Sequence, residues 1–168
     1  LLGELNGEAF QTTMSDLWTS VQELAKDPSS SVTQGLLVQR AEELVERAVN
    51  IYDGMTFYQD NLNIQLKQHV DKINKYGQQI IELNEQIRKI EVGGIEHAND
   101  LRDTRNEILD ELADLVDIKV TENVYGDVDV QIEGVDFVKG ERCFQIMLQV
   151  DENTGFYTPF WSQNATYK

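Results

Sequence analysis

A stripe of mostly apolar side chains recurs in steps of four and three through Leu37, Ala41, Leu44, Ala48, Ile51, Met55, Tyr58, Leu62, Leu66, His69, Ile73, Tyr76, Ile80, Leu83, Ile87 and Ile90. Such steps keep side chains on one helix face, so the pattern predicts one very long helix over 32–91 with a wet side and a dry side. At about 1.5 Å of rise per residue it would reach on the order of 80 Å. That exceeds what a compact chain of 168 residues needs, and the dry seam calls for covering helices. Two shorter periodic stretches answer the call. Phe10, Met14, Leu17, Val21 and Leu24 repeat the step over about 5–26, with Trp18 widening the stripe, until Asp27-Pro28 and three serines break it. Leu101, Arg105, Ile108, Leu112 and Leu115 mark a third helix over 99–116. The connection before it is short, so it should fold back antiparallel on the C-terminal half of the long helix, with the first helix covering the N-terminal half.

Local signals set the boundaries. Ser31 with Gln34 fits a capping box at the start of the long helix, although Gly35 just inside costs roughly 1 kcal/mol relative to Ala. Gly93-Gly94 supplies a left-handed stop, and Asn99 is the expected cap of the third helix, with Asp100 and Asp103 in its first turn. Two successive four-residue steps, Tyr58 to Leu62 to Leu66, resemble a stutter. Gly54 and Gly77 fit close helix approach better than a hinge.

After Val116 the period changes to two. Ile118 and Val120 lead through Tyr125-Gly126-Asp127 to Val128, Val130 and Ile132, which reads as a hairpin. Phe144, Ile146, Leu148 and Val150 form a second one, returning after Asp151–Gly155 through Phe156, Thr158 and Phe160. The expected fold class is α+β: an elongated helical bundle built on one very long helix with two shorter antiparallel helices, followed by a small antiparallel β domain of hairpins. The expected domains are a helical bundle over 1–117 and an incomplete β region over 118–168.

Charge removes whole function classes. Fourteen Lys and Arg against 30 Asp and Glu give a formal charge of −16, which repels nucleic-acid phosphates and anionic lipid, so neither nucleic acid nor membrane is an expected partner. No apolar run of eighteen residues and no signal-peptide core occurs, and the absence of an initiating Met suggests a piece of a longer chain. Cys143 stands alone, so it reads as a small buried hydrophobe outside any disulfide framework.

The search for chemistry nominates no catalyst, no metal site and no cofactor. Asp103, Glu107, Asp110 and Asp114 line one face of the third helix, but a row open to water lacks the pocket that splits carboxyl pKa values; it reads as a solvated surface or a contact for a basic partner. Asp151–Gly155 resembles a calcium loop, but its glycine comes one residue early and the closing glutamate is missing. His69 and His97 lack the spacing of a zinc pair. Gln65, Gln68, Gln78, Gln79 and Asn84 offer neutral hydrogen-bonding surface for subunit contacts. Arg105 is the anomaly, because it occupies a core position between Leu101 and Ile108. Its guanidinium must either snorkel outward or find a carboxylate or a backbone carbonyl near the loop or the long helix.

Several segments in order carry a resemblance: the Asp27-Pro28-Ser29 break, the long helix ending in Asn84-Glu85-Gln86-Ile87 and then Gly93-Gly94, and the run from Ala98 through Asn99, Asp100, Leu101, Asp103 and Arg105 to Leu112. Together with the hairpin that includes Val135 to Gly140, they resemble the FlgK-type hook-associated proteins of the bacterial flagellum, most strongly over 73–140. The resemblance implies a secreted, extracellular structural subunit that joins hook to filament and performs no enzymatic chemistry. It also implies type III export, self-association, contacts with the hook protein and the neighbouring junction protein, and an export chaperone acting through a segment absent here. Two departures qualify it: the terminal segments that line the family's tube are absent, and Gln34-Gly35 stands where relatives often have Arg-Gln, so this piece is not expected to polymerise alone. The alternative from the residues alone is a helical adaptor, a coiled-coil module that docks a cellular protein.

Overall fold

The computed structural model describes residues 8–92 and 97–162. Helix α1 spans Glu8–Lys26, α2 spans Ser31–Glu91 and α3 spans Asn99–Ala113. Six strands follow: β1 (Ile118–Glu122), β2 (Val128–Ile132), β3 (Val135–Lys139), β4 (Arg142–Cys143), β5 (Ile146–Val150) and β6 (Tyr157–Trp161). This is the expected α+β order of three helices, one of them very long, and antiparallel hairpins. Positions 5–7 of the first expected helix and the Gly93-Gly94 stop lie outside the described residues.

The chain divides into two compact units, 1–61 and 62–168. The boundary falls inside α2, whereas the change from helix to strand falls near residue 117. The second half of α2 shares its core with α3 and the sheet, which is why packing and secondary-structure type divide the chain at different places.

In the first unit α1 lies against the start of α2 with Asp16 3.8 Å from Arg40. Phe10, Leu17, Leu24, Leu37, Leu44 and Ile51 are half-buried. Met14, Trp18 and Val21 are exposed, so the wide stripe of α1 is not covered across its width. The helix start differs from the expected box by one residue: α2 begins at Ser31, and the Ser30 hydroxyl accepts the Thr33 N–H at 3.5 Å. Gln34 turns back instead to donate to the Pro28 carbonyl at 2.9 Å.

The second unit holds the hydrophobic core. Ile73, Tyr76 and Ile80 of α2 meet Leu109 and Leu112 of α3, with Val128, Val130, Ile132, Phe137 and Val138 of the sheet closing the cluster. Strands β1 to β4 form one antiparallel sheet in sequence order, and β5 and β6 form a separate two-stranded sheet. The period-two pattern had shown β1, β2, β5 and β6 as two hairpins; β3 and β4 extend the first into a four-stranded meander. The link from β2 to β3 is the two-residue turn Glu133-Gly134, with φ of 50° and 83°. Positive φ at both central positions is the turn geometry that matches strand twist.

Candidate functional site

The side of α2 that meets the sheet follows a heptad row, Asn63, Val70, Gly77, Asn84 and Glu91, beside the apolar seam. A seven-residue step returns to nearly the same helix face; Val70 is buried on it, and Asn63, Gly77, Asn84 and Glu91 meet different parts of the β region or the start of α3. Asn84 is 3% exposed. Its Nδ2 donates to the Val128 carbonyl at 2.9 Å while its Oδ1 accepts the Val128 N–H at 3.1 Å, so the side-chain amide pairs with β2 as a neighbouring strand would. Asn74 does the same for β5, donating to the Ile146 carbonyl at 2.8 Å and accepting the Ile146 N–H at 2.9 Å. Asn63 donates to the Gly155 carbonyl and accepts the Tyr157 N–H, both at 2.9 Å. Backbone polar groups need partners, and these amides supply them where no strand does; the pair made by Asn84 is buried.

Gly77 makes room for this contact. A Cβ at that position would fall 2.5 Å from Cys143 Sγ and 2.5 Å from Phe137 Cζ. Here close approach is between helix and sheet, rather than between helices.

A knot of three arginines closes the end of α2. Arg105 is 2% exposed; its Nη1 donates to Asn84 Oδ1 at 2.9 Å and to the Gly126 carbonyl at 2.7 Å, and its Nη2 lies 3.7 Å from Glu122. The guanidinium therefore bonds a backbone carbonyl of the β1–β2 turn and the long helix at once. Burial pulls its pKa below the usual guanidinium value, and the charge of Glu122 opposes that shift. Arg102 forks onto Glu91 with bonds of 2.9 and 2.6 Å and reaches Glu122 at 2.6 Å. These bonds, with the Ala98 N–H at 3.0 Å, hold the Glu91 carboxyl down to about 2. Arg88 bonds Asp127 at 3.1 Å and Glu141 at 2.9 Å.

Asn99 is not the cap of α3. Ala98 occupies that position without a side-chain cap bond, and Asn99 is already helical. Glu91 accepts the N–H of Ala98 itself, so a carboxylate from the previous helix satisfies the backbone donor of the cap residue. Asn84 likewise leaves the group of surface amides to which its polarity had assigned it. The heptad relation to Gly77 and Asn63 is the sequence signal that could have found it.

The expected seam is covered unevenly. Ile73, Ile80, Leu83, Ile87 and Leu112 are buried, and Leu66, Leu101 and Ile108 are half-buried. Met55 and Tyr58 are 58% and 62% exposed, and Leu62 is exposed as well.

Among the described residues no group of three or more His, Cys, Asp or Glu is arranged to hold a metal ion, and no helix is long and apolar enough to cross a membrane. His97 is exposed, with Nδ1 4.0 Å from Glu91. Asp103, Glu107, Asp110 and Asp114 all face solvent. Asp151 Oδ1 accepts the N–H groups of Asn153 and Thr154 at 2.8 and 3.1 Å, which makes a turn and lowers its pKa. Burial pushes the Cys143 thiol up to about 11, which favours its protonated form at neutral pH.

The family model for the flagellar hook-associated protein FlgK helical domain matches residues 1–166. Flagellar hook-associated protein 1 of Bacillus subtilis (strain 168) is 29% identical over 126 residues, covering 75% of this chain and 25% of that protein. The protein of the same description from Escherichia coli (strain K12) is 28% identical over 140 residues, covering 82% of this chain and 26% of its own length. The chain thus spans about a quarter of the curated relatives it matches. The solved structure of the flagellar hook junction protein FlgK from Burkholderia pseudomallei superposes with a TM-score of 0.81 at 22% identity, over 92% of this chain and 27% of that one; this likeness speaks for the fold.

Proposed function

Since this chain belongs to the FlgK helical-domain family of flagellar hook-associated proteins, we propose that it is a structural part of the joint between hook and filament, working through protein contacts and without enzymatic chemistry. The match across residues 1–166 carries this reading. The physics of the molecule agrees with it. One helix of 61 residues is tied to the strands by side-chain amides and by Arg88 on Asp127 and Glu141, an arrangement suited to transmitting force rather than to enclosing a substrate.

The finer assignments follow from the same reading. The protein is exported to the outside of the cell, where its copies associate with one another, with the hook protein and with the neighbouring junction protein, and an export chaperone binds through a segment outside this chain. The seam residues Ile73, Ile80, Leu83, Ile87 and Leu112 serve as internal bracing. The adaptor alternative has no observation of its own in its favour. Deletion of the gene, followed by electron microscopy and assay of the medium, tests the proposal: hooks without filaments and flagellin shed outside the cell are expected. Normal flagella on the deletion strain would overturn it.

A further inference from the structure

We propose that hairpin β5–β6 is a strap on α2, anchored at its base and latched at its tip by Asn63, so that it opens from the tip while the four-stranded sheet stays closed. The two ends are held by different physics. At the base, Ile146 and Trp161 pack against the main core, with the Trp161 ring 6.2 Å from that of Phe137, and Asn74 pairs with the Ile146 backbone. The tip carries its own turn: Asp151 N–H bonds the Phe156 carbonyl at 2.9 Å and Gly155 N–H bonds the Asp151 carbonyl at 2.7 Å. It therefore needs nothing from α2 to keep its shape.

A polar link joins the tip to the helix. Asn63 bonds Gly155 and Tyr157, the first of these bonds exposed, while Leu62 and Ile64 on either side of it remain exposed. Val150 and Phe156 at the tip are exposed too. Apolar burial therefore holds the base and an exchangeable amide pair holds the tip. Bonds open to solvent are exchanged for water at small net cost, and segments held in that way populate the low end of local opening free energies. Since β5–β6 shares no strand pairing with β1–β4, opening breaks no ladder of the larger sheet.

The device stands independently of the flagellar reading, and so does its test. Hydrogen exchange read by mass spectrometry on the protein that carries this chain compares wild type with Asn63→Ala and Asn63→Asp. The alanine variant is expected to speed exchange across 150–157 by about tenfold, the loss of two modest hydrogen bonds, with β1–β4 unchanged. The aspartate variant keeps the acceptor for Tyr157 N–H and loses the donor to Gly155, so it should fall between the two. Unchanged exchange at the tip in Asn63→Ala, or equal acceleration of tip, base and β1–β4, would overturn the proposal.

Discussion

At the scale of single residues, the electrostatics of this molecule concentrate on Glu91. Its folded carboxyl sits at about 2 against an ordinary 4.5, because Arg102 and the Ala98 N–H favour the ionised form. A lowered folded value means that the unfolded chain binds the proton more readily. The stabilisation is therefore fully present above pH 4.5 and is lost as pH falls toward 2. Chemical denaturation at pH 5.5 and pH 3 should show a larger loss of stability for wild type than for Glu91→Gln, whose neutral amide has no proton to take up. Parallel losses would mean that other carboxylates dominate the acid limb. Arg105 contrasts with this: it stays charged throughout, so its ties to Asn84 and Gly126 hold where those of Glu91 fail.

At the scale of elements, the contact between α2 and the sheet depends on a missing side chain. Gly77→Ala would place a methyl group into Cys143 and Phe137, so helix and sheet must separate or Phe137 must leave its rotamer. Overpacking of this kind costs about 1–3 kcal/mol, measurable as a lower urea midpoint with an unchanged slope. The elements themselves were largely legible. The four-three stripe located α2 within one residue at its start, because a long apolar periodicity accumulates evidence with every turn. Strand β3 was hidden from the alternation, and legible only through the family resemblance, because Phe137 and Val138 are both buried and because the bulge near Val130 shifts the register. The polar site was half legible. Arg105 stood out as a charge in a dry row, but Asn84 did not, since an amide is ordinary on a solvated face and its backbone partner lies 44 residues away. Asn99 misled for a related reason: the helix begins one residue earlier than local capping chemistry suggests, with Ala98 at the cap and its N–H tied to Glu91 across the connection.

At the scale of the whole molecule, the two compact units are unequally built. Every buried apolar residue of the described chain lies between Val70 and Val138, whereas in the described part of 1–61 Ser20 alone is buried. Helices with half-covered faces draw little stability from tertiary packing. For this chain in solution, trypsin should therefore cut at Lys26, Arg40 and Arg47 before it cuts within β1–β4, and a time course resolved by mass spectrometry checks the order. Early cleavage at Lys119 or Lys139 would contradict it. The heptad row that carries the sheet has a further consequence, for alignment along the helix axis. A uniform repeat would let strands slide by seven residues and settle again almost as well, a fault that regular coiled coils risk. Here successive teeth are Asn, Val, Gly, Asn and Glu. A slip of one repeat would set Val70 against the backbone groups that Asn63 reads, and Glu91 or Gly77 against those of Asn84, so the helix works as a key cut for one lock position.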